Sequence, residues 1–457
     1  MKLQRILSFF IALALLLGLM VTPAAAIEPM EVDAKAALLV DGESGAVLYA
    51  KNEHMELSQA SLTKIMSTLL ALEAVERGEL SLDDEITASF SAVSSLPADG
   101  SNADPAIREG EVLTLNQLIY CMMVISANEA CNIVAEAVCG NVDAFVQRMN
   151  DRAAELGCQN THFVNTCGLT ATGHYSCAWD IYLIAKEAMK YEKFQNAAYT
   201  TWYEIPPTNK CDTTRVFHTT NSLLDSWRIA GYQYGPARGI KTGHTEDAGY
   251  CLVSMAAKGS RSLYSVILGA DTVKSPTSGN TVIQSFAETS RLFDWGFENF
   301  TSKVVLEDTE LIQEVPVGLS KETNYVAVHP AYTASAVLPN DVEPSAMTRT
   351  VTLYQEIADA PITAGDELGA ITVSYHGTDY VTVPLLALAD VSASRFLVGK
   401  AAIKAFFSNK TVIMSLVIGI FAIAAFTVWW RVFRRHRRYG HSKDKRWKRK
   451  NYKGRRF

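Results

Sequence analysis

Residues 411–430 form an apolar run without a single charge near the carboxyl end of this 457-residue chain. About 20 helical residues cross the hydrocarbon core of a bilayer. Trp429 and Trp430 close the run, where aromatic rings favour the membrane interface. A buried core helix is the alternative, but such a helix rarely lacks all charged residues and rarely ends in a strongly basic tail. We therefore predict a transmembrane helix at 411–430.

The tail that follows this run, residues 431–457, holds 14 Lys and Arg against one acid, Asp444. Basic flanks face the cytoplasm in membrane proteins. We therefore expect a cytoplasmic tail that fixes topology and touches anionic lipid. Residues 27–410 then form the external portion, with 26 basic and 47 acidic residues. Because this portion is strongly acidic, nucleic acid is excluded as a partner.

The amino end has the layout of a secretory signal. Lys2 and Arg5 precede an apolar stretch from Ile6 to Met20, and small residues follow up to Ala26. This order predicts a signal peptide at 1–26 with cleavage after Ala26. An uncleaved amino-terminal anchor is the alternative.

Eight cysteines lie in the exported portion, and their pairing stays open. An even number in an exported chain permits disulfides, in 105 possible pairings. Three of them lie in apolar helical sequence and could equally be buried thiols. No CxxC spacing supports a zinc site. The cysteines are at positions 121, 131, 139, 158, 167, 177, 211 and 251.

Strand-like runs occur early and late in residues 27–300, with helical sequence between them. Hairpins are predicted at 36–50 and 249–271, and a helix from Ser61 to Arg77 that ends at Gly78. Thr114 and Gln117 have the spacing of a capping box. Together these predict one α+β domain. Residues 301–392 are short β-rich runs broken by Gly and Pro, which predict a small β-sandwich, and 393–410 would be a linker.

The helix that begins at Ser61 carries a possible nucleophile. Ser61 and Lys64 are three residues apart, so they would share a helix face. A serine hydroxyl attacks only when a base takes its proton, and a lysine can do so when burial or a cationic neighbour lowers its pKa. A single Ser-x-x-Lys pattern occurs by chance in a chain of this size and means little alone.

Two further patterns follow in order. Ser126–Asn128 reads SAN and interrupts two apolar helices, where a simple helix break is the alternative. Lys241–Gly243 reads KTG and precedes a strand pair, where a polar turn is the alternative. Ser-x-x-Lys, Ser-x-Asn and Lys-Thr-Gly in this order are the set used by serine acyl-transfer enzymes that react with penicillin.

On these motifs the chain resembles the D-alanyl-D-alanine carboxypeptidases, the low-molecular-mass penicillin-binding proteins. The flanks "SANEACNIVAE", "GLTATGHYSCAWDIYLIAKEAM" and "KTGHTEDAGYCLV" are similar to family segments, and "APITAGDELG" resembles the family's C-terminal domain. The resemblance implies an α+β fold: a serine β-lactamase or DD-peptidase-like transpeptidase domain, then a small all-β domain and one C-terminal transmembrane helix.

The resemblance also implies a role for each motif residue. Ser61 would be acylated, and Lys64 would be its general base. Ser126 would relay a proton, while Asn128 would hold Lys64 and the substrate amide. The substrate-binding residues of the third motif would be Lys241 for charge, Thr242 for the terminal carboxylate, and Gly243 for close approach of the strand. The amides of Ser61 and His244 would form the oxyanion hole.

The implied substrate is the peptidoglycan pentapeptide, which ends in D-Ala-D-Ala, with β-lactams as covalent inhibitors and no cofactor or metal. Two other functions stay open. A serine β-lactamase is one, although no deacylating Glu-x-x-x-Asn segment is evident and the extra domain and span argue against it. A catalytically weak penicillin-binding sensor or scaffold is the other, and it would be acylated without turnover.

Three features depart from the family pattern. The family often has an arginine on the strand after the third motif, and Arg261 stands one residue out of register, which would turn it to the opposite face. Glu129 replaces the usual aspartate in the second motif. Residues 94–111 look unlike the corresponding family segment and could reshape the rim of the site.

Overall fold

The computed structural model describes residues 30–97, 100–275 and 279–443. The predicted signal peptide at 1–26 and the end of the basic tail, 444–457, lie outside the described residues. Two compact units form. The first contains the described residues up to Lys303 together with Ala336–Ala346, and the second contains Val304–Ser335 and the described residues from Met347 onwards. The predicted domain boundaries are close to this division but stay a prediction.

The first unit is a mixed α/β fold around one antiparallel sheet. Its five main strands are ordered β2-β1-β9-β8-β7, so β7 is an edge strand. The strands are β1 Ala36–Asp41, β2 Val47–Lys51, β3 Glu85–Thr87, β4 Val112–Thr114, β5 Trp202–Ile205, β6 Arg215–His218, β7 Ala237–Thr245, β8 Gly249–Lys258, β9 Arg261–Ala270, β10 Thr272–Lys274 and β11 Thr281–Ile283. Both predicted hairpins are present, as β1–β2 and β8–β9.

Helices cover both faces of this sheet. They are α1 Lys64–Glu76, α2 Phe90–Ser94, α3 Leu115–Val124, α4 Asn128–Cys139, α5 Val142–Glu155, α6 Ala178–Ala188, α7 Glu192–Tyr199 and α8 Gln284–Asn299. The predicted capping box at Thr114 and Gln117 opens α3. Cys177 is the N-cap of α6, and its side chain accepts from the Asp180 amide.

Helix α1 lies at the centre of the larger helical layer. Every residue from Lys64 to Ala74 is buried, and the apolar ones pack with side chains of α3, α4 and α6. A helix that is covered on all sides belongs to a core. On the other face of the sheet, Leu292 and Phe293 of α8 pack against strand side chains. Because α1 is held this firmly, the residues at its first turn have fixed positions.

The second unit is mainly β-structure. A six-stranded sheet has the order β16-β18-β19-β14-β13-β17, and it is antiparallel except for the β13–β17 pair. Strand β18 alternates buried and less buried residues, as expected of a sheet with one covered face. The elements of this unit are β13 Gln313–Gly318, β14 Tyr325–Pro330, β16 Thr348–Leu353, β17 Ala358–Asp359, β18 Glu367–Tyr375, β19 Thr378–Ala387, α9 Arg395–Ser408 and α10 Lys410–Lys443. Two further strands, β12 Phe300–Leu306 and β15 Ala334–Pro339, each contain residues of both units.

Helix α10 includes the predicted transmembrane segment. Within it, residues 410–434 are long and apolar enough to cross a membrane, and this stretch is not buried inside the protein. The predicted architecture is confirmed: an α+β unit, a β-rich unit and one apolar C-terminal helix follow one another along the chain.

Candidate active site

Ser61 lies in a single turn of 3₁₀-helix, Ala60–Thr63, directly before α1. The sequence predicted a continuous α-helix from Ser61, and the structure corrects this. Ala60 has a φ of 46°, and Thr63 Oγ1 donates to the Ala60 carbonyl at 2.9 Å, so the first turn is tightened. A 3₁₀ turn has three residues, which places residues i and i+3 directly above one another. The turn therefore brings Lys64 over Ser61 more closely than an α-helix would.

The Lys64 amine makes three short polar contacts. Nζ lies 2.9 Å from Ser61 Oγ, 2.8 Å from Asn128 Oδ1 and 2.7 Å from the carbonyl oxygen of Cys167. The side chain is fully buried. Both carbonyl oxygens can only accept hydrogen bonds. The amine donates to both of these oxygens and is at the same time within hydrogen-bond reach of the Ser61 hydroxyl.

Ser126 and Asn128 lie where α3 ends and α4 begins, as the sequence predicted. Ser126 has a φ of 66°, in the left-handed region. Its hydroxyl is buried and has no hydrogen-bond partner within the described ranges. Asn128 is the first residue of α4, and its backbone N–H donates to the Ser101 carbonyl at 2.7 Å. The break between the helices therefore presents one unpaired hydroxyl and one fixed carboxamide to the site.

The third motif lies on the edge strand β7. Lys241 is 1% exposed, and its Nζ donates to the Thr242 carbonyl at 3.1 Å. Burial, and then the nearby charge of Lys64, lower the pKa of Lys241 well below its usual value. The hydroxyls of Thr242 and Thr220 are 2.6 Å apart. Thr242 is thus positioned by a neighbour that the motif does not include.

Gly243 allows the edge strand to approach the nucleophile. A Cβ at Gly243 would lie 2.9 Å from the Gln59 carbonyl oxygen and 3.1 Å from the Ser61 amide nitrogen. His244 is exposed, and its ring centroid is 4.2 Å from that of Tyr250. The backbones of Ser61 and of residues 243–244 are therefore adjacent, as an oxyanion hole requires.

A cavity of about 260 Å³ joins these residues. Five of the eight predicted site residues line it, namely Ser61, Ser126, Thr242, Gly243 and His244. The other three, Lys64, Asn128 and Lys241, are buried. The first two are joined to Ser61 through the contacts of Lys64, and the third precedes Thr242 on β7. All three sequence motifs thus meet at one cavity.

Sequence reasoning missed the segment that supports the Ser61 turn from the other side. A Cβ at Gly168 would lie 1.9 Å from the Ala60 carbonyl oxygen, and the φ of Gly168 is 91°. The preceding residue, Cys167, supplies the carbonyl that accepts from Lys64. The only sequence signal was that "GLTATGHYS" resembles a family segment, and this did not assign a contact.

A buried histidine lies beside the same turn. His174 Nε2 is 2.9 Å from Thr63 Oγ1, and its Nδ1 accepts from the Val164 amide at 3.0 Å. Burial is the main cause that lowers the pKa of His174 to about 4, with smaller effects of His162 and Lys64. His174 is therefore neutral at physiological pH, and its Nδ1 holds the backbone at Val164 by accepting this hydrogen bond.

Arg261 lies away from the cavity. It begins β9 beside the hairpin turn, and its Nη1 donates to the Phe300 carbonyl at 2.6 Å. Its Nη2 is 3.9 Å from Asp41 Oδ2. This position agrees with the register of Arg261 in the sequence, which had put a role for this arginine in the site in doubt. A different arginine, Arg228, lines the cavity, and no sequence motif singled it out.

The unusual segment 94–111 is tied to the site at several points. Glu129 Oε1 accepts from the amides of Ala103 at 2.8 Å and Ile107 at 3.4 Å. Burial, the largest effect, raises the pKa of Glu129, while these amide hydrogen bonds oppose the shift. Ser101 lines the cavity. Glu129 thus acts as an anchor for this segment, which forms part of the rim.

The same segment ends in a buried ion pair. Arg215 Nη1 is 2.7 Å from Glu111 Oε1, and both side chains are almost fully buried. Burial alone would raise the pKa of Glu111, but hydrogen bonds from Arg215 and Thr208 lower it overall. Arg215 also donates to the Pro105 carbonyl at 2.7 Å. The pair therefore fastens residues 105–111 to β6.

The cysteines are all free thiols in this structure. Burial raises the pKa of most of them, and that of Cys131 reaches about 12. A thiol with so high a pKa is a poor nucleophile.

Comparisons with known proteins agree with this geometry. A family model described as D-alanyl-D-alanine carboxypeptidase matches residues 22–272, more than half of the chain. The chain belongs to the D-alanyl-D-alanine carboxypeptidase family. A second model, the C-terminal domain of penicillin-binding protein 5, matches residues 300–393. The family resemblance seen in the sequence is therefore confirmed, and so is the prediction of a serine-type D-Ala-D-Ala carboxypeptidase that binds penicillin.

Individual family members are moderately similar over most of the chain. D-alanyl-D-alanine carboxypeptidase DacF of Bacillus subtilis is 29% identical over 365 residues, covering 80% of this chain and 87% of that protein. DacC of Escherichia coli is 29% identical over 377 residues, covering 81% and 87%. Penicillin-binding protein 5 of Haemophilus influenzae has a TM-score of 0.64 at 26% identity, covering 80% of this chain and all of that one.

Proposed function

We propose that Ser61 is the nucleophile of this carboxypeptidase and that Lys64 is its general base. The observation that carries the proposal is the set of three contacts at Lys64 Nζ. Two carbonyl-type oxygens, from Asn128 and Cys167, accept its N–H bonds, and Ser61 Oγ occupies the remaining position at 2.9 Å. This arrangement suits removal of the hydroxyl proton, because a base must be within hydrogen-bond reach of the proton that it abstracts.

The acylation step would begin at the carbonyl carbon between the two terminal D-alanines. Ser61 Oγ attacks this carbon while its proton passes to Lys64. Negative charge develops on the carbonyl oxygen, where the amides of Ser61 and His244 would stabilise it. The C–N bond then breaks, the proton held by Lys64 passes through Ser126 to the leaving amine, and D-alanine departs. The unpaired Ser126 hydroxyl supports this role, since it has a free donor and a free acceptor.

Deacylation would reverse these roles with water as the nucleophile. Lys64 accepts a proton from the water molecule, the ester carbon is attacked, and Ser61 Oγ leaves and regains its proton. The product is a stem peptide shortened by one D-alanine. A β-lactam would acylate Ser61 in the same way and would be released slowly.

The substrate's terminal carboxylate would bind at the third motif. Thr242 lines the cavity and already interacts with the hydroxyl of Thr220. Asn128 would contact the substrate amide, and Gly243 would let the peptide backbone pair with the edge of β7. The buried Lys241 amine, which donates to the Thr242 carbonyl, would add positive potential to this carboxylate site.

The experiment uses the full chain in detergent with diacetyl-Lys-D-Ala-D-Ala and follows free D-alanine. We expect steady release from the wild type and a loss of at least about 1,000-fold in Ser61→Ala. Ser91→Ala, an exposed serine of α2, is the matched control and should keep wild-type activity. Release by Ser61→Ala at the wild-type rate would overturn the assignment of the nucleophile. Labelling of Ser61 by penicillin without any peptide turnover would instead indicate a sensor or scaffold.

We also propose the membrane topology. The segment 411–430 within α10 would cross the membrane once, the tail 431–457 would lie in the cytoplasm, and the first unit would lie outside. The excess of basic residues after the segment supports this orientation. A single cysteine placed in the tail of a cysteine-free variant should resist an impermeant maleimide in intact cells, and one placed at Ser91 should react. The opposite labelling pattern would refute the topology.

A further inference from the structure

The loop between β6 and β7 brings one arginine to the cavity. Arg228 lines it together with Ser61, Ser126 and Thr242. The side chain is exposed. Its charge is also close enough to Lys241 to contribute to the lowered pKa of that buried amine. Arg228 is therefore a cation at the Thr242 end of the site.

The backbone around Arg228 is held in place. The ring of Trp227 stacks on His218 with centroids 4.0 Å apart and planes 12° from parallel. The Trp227 amide donates to Asp225 Oδ1 at 2.9 Å. These contacts fix the residue that precedes Arg228 against the end of β6. The backbone that carries Arg228 is therefore held in a fixed position.

The guanidinium itself is largely unused by the protein. Its Nε donates to the His218 carbonyl at 3.3 Å. Within the described part of the chain, neither terminal nitrogen makes a hydrogen bond, and no ion pair includes Arg228. The buried arginine of the first unit, Arg215, pairs with Glu111 in contrast. Two N–H groups of Arg228 in a fixed fork are therefore available for a ligand, and this geometry matches a carboxylate.

Within the third motif, Lys241 is the only residue that can supply positive charge to such a ligand. Lys241 is buried, and burial, followed by the nearby charge of Lys64, lowers its pKa. Partial desolvation at the cavity lowers the pKa of Arg228, but a guanidinium keeps its proton in proteins. Arg261 cannot contribute, because it bonds to the Phe300 carbonyl outside the cavity.

We propose that Arg228 and Thr242 together bind the terminal carboxylate of the substrate, and that Arg228 makes the enzyme select free acids over amides and esters. The proposal rests on the carboxypeptidase function above and deepens it. Arg228 comes from the loop before β7, whereas the family's usual arginine follows the third motif. The structure thus assigns the charge of this subsite to a different element.

The test compares acylation by benzylpenicillin, a carboxylic acid, with acylation by its uncharged methyl ester. Rates are measured by intact-protein mass for the full chain in detergent, in the wild type, Arg228→Ala and Arg228→Lys. Arg77→Ala is the matched control, since Arg77 is an exposed arginine that follows the last residue of α1. It lies about 20 Å along the helix axis from Lys64, at the end of the helix opposite the cavity. Release of D-alanine from diacetyl-Lys-D-Ala-D-Ala, and of D-alaninamide from its C-terminal amide, is followed in parallel.

We expect Arg228→Ala to slow acylation by the acid about 10- to 100-fold while the ester rate stays within about twofold. Arg228→Lys should fall between, and Arg77→Ala should match the wild type. An acid rate within twofold of the wild type in Arg228→Ala would overturn the proposal. An equal loss for acid and ester would overturn it too, since that is the effect of a merely structural residue. Absence of peptide turnover in the wild type would refute the carboxypeptidase function, while the acid-to-ester ratio would still test Arg228.

Discussion

Lys64 Nζ lies 2.8 Å from Asn128 Oδ1, so the base of the first motif is held by the amide of the second. The two residues are 64 positions apart and lie at the first residues of α1 and α4. Because both helices begin in the buried core, neither side chain can move far. Folding thus joins two motifs that are far apart in the sequence through one fixed contact beside Ser61.

Replacing Asn128 should therefore impair the base without unfolding the protein. Asn128→Ala removes an acceptor that orients the Lys64 amine, and we expect penicillin acylation to slow about 100-fold or more. Asn132→Ala is the control, because Asn132 is a buried asparagine one turn later that bonds to the Ala92 carbonyl instead. It should lose stability but keep acylation within a few-fold. Equal acylation rates in the two variants would contradict the role of Asn128.

Two glycines with similar backbones should respond differently to alanine. Gly168 has a φ of 91° and Gly157 a φ of 84°, but only Gly168 has neighbours close to its missing Cβ. Gly157→Ala should cost about 1 kcal/mol of stability from strain alone. Gly168→Ala must also push away the Ala60 carbonyl, which carries the Ser61 turn. We expect a larger loss of stability and of acylation, measured by thermal unfolding and by penicillin labelling.

The comparison of these glycines also separates strain from contact. If both variants lose the same stability and both keep wild-type acylation, the support of the Ser61 turn by Gly168 is refuted.

His174 should make the first unit sensitive to acid. Its pKa is about 4 in the folded protein against 6.5 for an unperturbed histidine, so the unfolded state binds a proton first as pH falls. The stabilisation from keeping this ring neutral is complete above about pH 6.5. It is lost progressively between pH 6.5 and 4, by about 3 kcal/mol in total.

The free energy of unfolding of the wild type and His174→Gln, measured by denaturant titration across this pH range, tests this account. The variant should show a pH dependence weaker by about the same 3 kcal/mol. Parallel pH profiles for the two proteins would show that His174 does not titrate in this way.

The Glu111–Arg215 pair should matter far more than a surface pair. Arg215→Ala leaves a buried carboxylate without its partner, and such losses cost about 3–5 kcal/mol. Arg148→Ala breaks a pair with Glu155 that is more exposed, which should cost less than about 1 kcal/mol. Denaturant unfolding measures both. A loss below 1 kcal/mol in Arg215→Ala would show that the pair does not fasten residues 105–111.

The sequence was informative where chemistry is concentrated in short motifs. Ser61 and Lys64, Ser126 and Asn128, and the Lys241–Gly243 triplet could be recognised because each role depends on residues a few positions apart. In the folded chain, residues of all three motifs line one cavity. Hairpins and the Thr114 cap were also predictable, because turn and cap chemistry is local.

The rest depends on contacts between distant segments. Nothing local at Gly168 indicates that it touches Ala60, and a carbonyl such as that of Cys167 has no sequence signature. The 3₁₀ turn at Ser61 follows from tertiary contacts that override helix periodicity. Arg228 lies in a loop without a motif, so its approach to the cavity could not be inferred before the path of that loop was known.

The central claim is that Ser61 forms the acyl-enzyme, and one measurement tests it directly. The full chain is incubated with benzylpenicillin, digested, and the modified peptide is sequenced by mass spectrometry. The account predicts one penicilloyl group, an ester on Ser61, that is absent from Ser61→Ala. A penicilloyl group on another residue, or none on the wild-type protein, would contradict it.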